Sequence, residues 1–366
     1  MNMRISRLNT GLAAAFLGIS LLLSGCAQTE ESQGAFDASP EAAGKLKVAV
    51  TLFPYYDFVR QIAGDQVDLQ MVIPAGMDSH SFEPTPADIR TIQHADVLIS
   101  NGGTMEHWLD ETLAALDTTS MTIVTMMDYV DTVEEEIVEG MEDADHDHDH
   151  AHVHAADDHD HSNETPEEHA AHAHEADDHD YVDHDGHEEE IEYDEHIWTS
   201  PVNAMKLVDV IGDTLAQADP AHADIYHQGA ASYKKELEEI DAGFREVCAN
   251  RKRNMIVMGD KFPFRYLADE YQLDYRAAFS GCSSDTEPSA KTIAYLIDKV
   301  KEEQIPAVYY LELSSHRVAE IIGEETGAEP LLLHSCHNVT RAQFDAGITY
   351  AGLMRQNIEN LRKGID

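Results

Sequence analysis

Residues 219–247 read DPAHADIYHQGAASYKKELEEIDAGFREV, and this stretch decides the fold. Asp219 is a good helix N-cap, and Pro220 is favoured at the first helical position. The apolar residues then recur at alternating intervals of four and three, which is typical of one helix face; they are Tyr226, Ala230, Tyr233, Leu237, Ile240, Phe244 and Val247. At 1.5 Å per residue, a pattern of about 30 residues makes a rod of about 45 Å. Such a helix is longer than one small lobe requires, so we expect it to span two lobes. A coiled-coil dimer is the alternative, because it would give the same spacing.

On both sides of this stretch, short β-rich runs alternate with amphipathic helical runs, which indicates α/β layers with parallel sheets. Before it, strands are predicted at 46–52, 68–72, 97–100 and 122–125, and helices at 55–63, 85–94 and 106–116. After it, strands are predicted at 255–258, 273–276, 307–311 and 330–333, and helices at 264–271, 289–303, 315–326 and 341–361. We therefore predict an α/β fold in which two doubly wound parallel-sheet lobes, residues 45–205 and 253–366, are joined by helices within 206–252.

The first 26 residues have the pattern of an export signal. Arg4 and Arg7 precede an apolar stretch, 11–23, whose 13 residues are too few to span a bilayer. The following Leu-Ser-Gly-Cys resembles the lipobox of bacterial lipoproteins, so we expect Cys26 to carry lipid, palmitate included, and to anchor the protein outside the cytoplasm at the cell membrane. Residues 27–44 then form a flexible tether. Ordinary secretory cleavage, with Cys26 incidental, is the alternative.

Three further cysteines remain, Cys248, Cys282 and Cys336. An odd number in an exported protein suggests one pair and one free thiol. Cys282 and Cys336 both follow predicted strands, whereas Cys248 falls on a helix. A Cys282–Cys336 disulfide is therefore favoured, and zinc ligation by one or both is the competing interpretation.

The acidic residues are concentrated in one segment. The chain has 70 Asp and Glu against 24 Lys and Arg, a formal charge of −46, which excludes the basic footprint of a nucleic-acid binder. Residues 128–195 hold 29 of the acidic side chains and no Lys or Arg. The rest of the chain therefore carries a formal charge of only about −17. Thirteen of the 22 histidines lie between His146 and His187, interleaved with Asp.

This insert, about 140–192, is of low complexity and lacks the apolar residues for a core, so we expect disorder. Alternating imidazole and carboxylate ligands suit Zn²⁺. We expect weak accessory metal binding at several sites, through His146, His148, His150, His152, His154, His159 and His161. A merely solvating acidic loop is the alternative.

Metal-ligating residue types also follow the predicted strands, where doubly wound sheets bind their ligands. His80 follows the second strand, His196 follows the insert, Asp260 follows the first strand of the second lobe, and His334, Cys336 and His337 follow the last. Each alone has an ordinary explanation as a surface, capping or structural residue. Together they predict a cleft between the lobes with imidazole and carboxylate ligands, a set that fits tetrahedral Zn²⁺ better than hard cations.

Two longer motifs carry a family resemblance. Residues 76–86, GMDSHSFEPTP, and 194–201, DEHIWTSP, resemble the motifs G-x-D-P-H-x-Y/F-E-P-T-P and D-x-H-x-W-x-S-P of the substrate-binding lipoproteins that serve zinc and manganese ABC importers. The resemblance covers the whole mature chain, including the His-rich loop of the zinc members. It implies two α/β lobes bridged by one long helix, little closure on binding, and a single tightly held metal with His80 and His196 as ligands.

The second half departs from the family pattern. Zinc members usually carry a third histidine in H-x-A-F-x-Y, but residues 259–266 read GDKFPFRY. When this segment is aligned with the family motif without a gap, Lys261 occupies the position of the histidine. Shifting the alignment by one residue places Asp260 at that position. The fourth metal ligand of the family corresponds to a position near His337 and Asn338. The predicted ligands are therefore His80, His196, His337 and Asp260, with His334 or Cys336 as substitutes, and Glu83 and Glu195 are expected to orient the imidazoles.

These observations predict a monomeric, extracytoplasmic, lipid-anchored receptor that captures Zn²⁺ and presents it to an ABC permease driven by a cytosolic ATPase. It would not be an enzyme, because a zinc hydrolase would need an open site and a base, usually in H-E-x-x-H, a motif the sequence lacks. A manganese receptor of the same family and a surface adhesin or metal-buffering protein are the alternatives. Of these metals, Mn²⁺ is less favoured than Zn²⁺.

Overall fold

The computed structural model of the chain describes residues 44–141, 192–283 and 287–366, together with Phe36 and Ser39. Three predictions lie outside these residues: the signal segment, lipidation at Cys26, and metal binding by the histidines of the insert. Most of the tether lies outside them as well. None of the helices in the described ranges is both long enough and apolar enough to cross a bilayer.

The described residues form two α/β units joined by helices. In chain order the elements are β1 Leu46–Val50, α1 Phe53–Ala63, β2 Val67–Met71, α2 Pro86–Gln93, β3 Val97–Ser100, α3 His107–Ala114, β4 Thr122–Thr125, α4 Pro201–Ala218, α5 Ala223–Ala249, β5 Met255–Phe262, α6 Arg265–Tyr271, β6 Asp274–Ser280, α7 Ala290–Glu302, β7 Ala307–Tyr310, α8 Arg317–Thr326, β8 Glu329–Leu332, α9 Arg341–Asp345 and α10 Tyr350–Ile365.

Each lobe is built on a four-stranded parallel sheet, and the two sheets share one topology. The strand orders are β2-β1-β3-β4 and β6-β5-β7-β8. In both, the chain starts near the centre and winds to each side, so the predicted doubly wound α/β fold is confirmed. All four residues of β3, for example, are buried, as expected of a strand covered on both faces.

The predicted long helix is α5, with 27 residues. At one end Gly229 lies so close to α1 that a Cβ there would approach the carbonyl oxygen of Ile62 to 2.1 Å. Towards the other end, the ring of Phe244 stacks on Tyr271 of α6 with centroids 5.1 Å apart. The helix therefore spans both lobes. All seven apolar positions of the predicted face are buried within the chain, which leaves none of them for a coiled-coil partner.

The predicted helix at 341–361 is two helices, α9 and α10. Gly347 has φ +70°, a conformation that few other residues adopt, and it ends the helical path. Thr349 then caps α10 by accepting a hydrogen bond from the N–H of Gly352. The break lets α10 pack along α5.

A buried carboxylate connects three of these helices. Asp57 of α1 accepts a hydrogen bond from the backbone N–H of Tyr350 at 2.7 Å and from the hydroxyl of Tyr233 in α5 at 3.2 Å. Arg60 pairs with the same carboxylate and also donates to the carbonyl oxygen of Ile348 at 2.6 Å. The first lobe is thus tied to both α5 and α10.

Candidate metal centre

Three histidines from three distant loops converge in the cleft. His80 lies between β2 and α2, His196 precedes α4, and His337 follows β8. One ring nitrogen of each lies within 4.8 Å of the other two. The ring centroids are 5.4 to 5.8 Å apart. Three imidazoles in this arrangement can hold one metal ion, and the structure thereby brings together three of the four predicted ligands.

The loop that carries His80 is fixed at both ends. The carboxylate of Asp78 accepts a hydrogen bond from the N–H of His80 at 2.9 Å. Further on, Thr85 and Asp88 form a capping box that starts α2, and the buried ring of Phe82 packs edge-on against Trp108. Burial, followed by the nearby His196, lowers the pKa of His80 to about 4. At neutral pH its ring is therefore uncharged and able to coordinate.

Asp194 orients His196. Its Oδ1 accepts a hydrogen bond from the N–H of His196 at 2.8 Å and lies 3.2 Å from Nδ1 of the ring. Burial acts to lower the pKa of His196, but the Asp194 carboxylate outweighs it and the pKa is raised. A hydrogen bond from Nδ1–H to this carboxylate leaves the lone pair of Nε2 free for a metal.

Gly281 makes the close approach to this ring possible. A Cβ at position 281 would lie 3.0 Å from a carboxylate oxygen of Asp194 and 3.3 Å from Cε1 of His196. The second lobe therefore closes directly over the Asp194–His196 pair, and a larger side chain here would push the loop away.

His337 is held against the first lobe. Its Nε2 makes a hydrogen bond with the hydroxyl of Ser79, and its N–H donates to Oγ of Ser335 at 3.2 Å. Cys336, just before it, has φ +61°, which turns the chain sharply. Burial and then the charges that His80 and His196 would carry lower the pKa of His337 well below its usual value. This ring is therefore also uncharged at neutral pH, and its one unprotonated nitrogen can coordinate a metal.

Hydrogen bonds across the cleft fix the distance between the loops. Trp198, two residues after His196, donates from Nε1 to the carbonyl oxygen of Ser335 at 2.8 Å. Asn338 donates from Nδ2 to the carbonyl oxygens of Pro74 and Met77 at 2.9 and 2.7 Å. These hydrogen bonds therefore hold the loops that carry the three imidazoles at fixed distances from one another.

Asp260, the fourth predicted ligand, lines the same cleft but stays apart from the three imidazoles. Its Oδ1 accepts from the N–H of Lys261 at 2.9 Å, and its Oδ2 lies 3.4 Å from the N–H of Leu311. The carboxylate thus stabilises the backbone where β5 ends beside β7.

The substitutes His334 and Cys336 point into the second lobe. His334 is 1% exposed, and its Nδ1 accepts from the N–H of Cys336 at 3.0 Å. Cys336 is completely buried, with Sγ 3.7 Å from the carbonyl oxygen of His334. Neither side chain lines the cleft.

The residues expected to orient the imidazoles are placed elsewhere. Glu83 is exposed. Glu195 accepts hydrogen bonds from Oγ1 of Thr104 and from the N–H of Met105, both at 2.8 Å, and so anchors the loop before α3. The partner that sequence reasoning missed is Asp194. Its position two residues before His196, within the D-x-H motif, was the signal that could have found it.

The predicted Cys282–Cys336 disulfide is wrong, because both thiols are free. Cys336 lies in the core near Asp57 and Tyr350, whereas Cys282 lies at the cleft near Asp194 and Glu135. Burial raises the pKa of both thiols. A disulfide requires two cysteines that face each other across about 4 Å between Cβ atoms, and these two face different surroundings.

Two parallel-sheet lobes, one long spanning helix and a cleft with converging histidines define a two-lobed solute-binding protein of the rigid-helix type. The family model described as "Zinc-uptake complex component A periplasmic" matches residues 48–364. The chain belongs to this family.

Relatives and solved structures are consistent with this family. The zinc-binding protein AdcA of Streptococcus pyogenes serotype M3 is 32% identical over 325 residues, 89% of this chain and 57% of the relative. The chain thus spans little more than half the length of this curated relative. The high-affinity zinc uptake system protein ZnuA of Bacillus subtilis is 29% identical over 354 residues, 97% of this chain and 96% of the relative.

Among solved structures, the Zn(II)-bound ZnuA-like domain of Streptococcus pneumoniae AdcA matches with a TM-score of 0.64 and 27% identity, over 88% of this chain and all of that one. The metal-dependent lipoprotein YcdH of Bacillus subtilis matches with a TM-score of 0.66 and 26% identity, over the same shares. The similarity in three dimensions therefore covers both lobes.

Proposed function

We propose that this protein is the extracytoplasmic receptor of an ABC-type importer, which captures one Zn²⁺ ion in the cleft and presents it to a membrane permease powered by a cytosolic ATPase. The observation that carries this proposal is the convergence of His80, His196 and His337, with a ring nitrogen of each within 4.8 Å of the others. Three imidazoles without a carboxylate among them favour zinc over manganese, which prefers oxygen ligands.

The other parts of the chain have roles that support this site. Residues 45–205 and 253–366 act as the two lobes, and 206–252 as their fixed connection. Cys26 carries the lipid that holds a monomeric receptor at the membrane. The His-rich insert gathers zinc weakly and raises its local concentration. The cleft binds and releases its cargo without chemical turnover.

The test compares two histidine variants of equal size. His196→Ala removes an imidazole from the cleft, and His107→Ala removes an exposed imidazole at the start of α3. Competition with a chromophoric chelator separates one tight site from the weak sites of the insert. We expect His196→Ala to lose the tight site and His107→Ala to keep it. Equal tight binding in both variants would contradict the cleft as receptor site.

A second variant separates the receptor from a metal-buffering protein. The two backbone segments that flank the insert are hydrogen-bonded to each other. The N–H of Glu135 donates to the carbonyl oxygen of Glu192 at 2.9 Å, and the N–H of Asp194 donates to the carbonyl oxygen of Val133 at 3.0 Å. Deleting residues 143–190 should therefore be tolerated. We expect the shortened chain to keep one tight zinc and lose the weak sites. Loss of all zinc binding would favour the buffering function.

A further inference from the structure

The cleft is much larger than a metal ion requires. Its cavity measures about 420 Å³, and the three imidazoles are among the side chains that line it. A single metal-bound water needs roughly 10–15 Å³ on the same measure. His196 is 1% exposed, and with Nδ1 occupied by Asp194 its Nε2 faces this cavity. Three histidines leave one position of a tetrahedral zinc ion open, and that position would be filled from the cavity.

The carboxylates that line the cavity are already committed to backbone donors. Asp260 accepts from Lys261 and Leu311, Asp78 accepts from the N–H of His80, and Glu312 accepts from the N–H of Ser335 at 2.8 Å. Glu287, at the outer side of the cavity, is exposed. Among the residues that the structure describes, no carboxylate joins the three imidazoles in their cluster of potential metal ligands.

Lys261 makes the cavity unusual for a cation site. Its side chain is half-buried, lines the cavity, and lies close enough for its charge to act on both His80 and His337. Within the described ranges its ammonium group has no ion pair or hydrogen bond. A fixed positive charge beside a divalent cation is repulsive unless an anion lies between them.

A second part of the cavity lining is also favourable to an anion. The first turn of α8, with Arg317 and Val318, borders the cavity, and no side chain caps the start of this helix. Free N–H groups at a helix start attract negative charge. The open metal position, Lys261 and this helix start therefore surround one space.

We propose that the cleft binds zinc together with a small carboxylate anion, one oxygen of which completes the metal coordination while its charge is balanced by Lys261. This rests on the proposed zinc-binding function and adds a second ligand to it. The anion would neutralise the repulsion between Lys261 and the metal, so metal and anion would each increase the affinity for the other.

The test uses the full chain with less than one equivalent of Co²⁺, whose visible spectrum reports the coordination of the tight site. Acetate is added in excess at constant pH and ionic strength, with perchlorate as the reference anion. We expect acetate to change the spectrum and to tighten metal binding by about tenfold, equivalent to about 1.4 kcal/mol. In Lys261→Gln the acetate effect should disappear, and metal binding in perchlorate should become tighter because the charge that repels the metal is gone.

Two variants control for the loss of charge and for folding. Lys301→Gln removes an exposed lysine of α7 and should respond to acetate like the original chain. Lys261→Arg keeps the charge and should keep most of the response. An unchanged spectrum with acetate, or an equal response in Lys261→Gln, would overturn the proposal. A response to phosphate but not to acetate would overturn the carboxylate assignment. Absence of tight metal binding in perchlorate would instead contradict the proposed function.

Discussion

Asp194 holds His196 twice, through the backbone N–H at 2.8 Å and against ring Nδ1 at 3.2 Å. One carboxylate thus fixes both the position of the residue and the tautomer of its ring. The other carboxylate oxygen, Oδ2, lies next to Gly281 of the second lobe, so this pair forms part of the contact between the lobes.

Replacing Asp194 with Asn should weaken zinc binding by roughly 10–100-fold, because the imidazole loses the partner that orients it and increases its basicity. Zinc affinity is measured by chelator competition. Glu192→Gln, which removes an exposed carboxylate two residues earlier, is the matched control and should bind zinc normally. Unchanged affinity in Asp194→Asn would show that the ring is oriented by packing alone.

Alanine substitutions at Asp260 and His337 should have very different effects on zinc affinity. His337→Ala removes one of the three converging nitrogens and should lower zinc affinity by more than about tenfold. Asp260→Ala removes a carboxylate that accepts from backbone N–H groups, so it should lower stability more than affinity. Zinc titration and urea denaturation of both variants check this. A greater loss of affinity in Asp260→Ala would place the carboxylate on the metal.

Glu106 should make the stability of the metal-free protein depend on pH. Burial raises the pKa of its carboxyl group to about 7, although one oxygen accepts from the N–H groups of Asn101 and Gly102, both at 2.9 Å. The folded chain therefore holds this proton more tightly than the unfolded chain. The resulting stabilisation is complete below the unfolded pKa of about 4.5 and is lost as the pH rises through about 7, a change on the order of 3 kcal/mol.

The measurement is urea denaturation of the metal-free protein at several pH values from 4.5 to 8. Glu106→Gln keeps an oxygen for the two N–H donors but cannot ionise. Its free energy of unfolding should therefore fall less over this range than that of the original chain. The same pH dependence in both proteins would exclude Glu106 as its source.

Gly229→Ala should destabilise the seat of α5 on the first lobe. The added Cβ would meet the carbonyl oxygen of Ile62 at 2.1 Å, so α5 and α1 would have to separate. Overpacking of this kind costs about 1–3 kcal/mol, more than the helix propensity of Ala returns. Thermal melting is the measurement, with Ser232→Ala on the exposed face of α5 as control. A melting temperature at or above that of the control would contradict the close contact.

The architecture and two of the three converging histidines could be predicted from the sequence. The alternating spacing from Tyr226 to Val247 predicts α5 because helix periodicity is a local property of the chain. The order of strands and helices predicts doubly wound lobes for the same reason. His80 and His196 stand in long motifs, whose surrounding residues cap helices and form turns next to them.

Which other side chains meet depends on how the two lobes pack in three dimensions. His337 joins the centre whereas Asp260 does not, Asp194 rather than Glu195 contacts His196, and Cys282 does not face Cys336. These outcomes depend on distances between segments far apart in the chain, which are set by the packing across α5 and by the hydrogen bonds between the lobes. Residue type and spacing set which groups can bind a metal, and the close packing of the two lobes sets which of them lie together in the cleft.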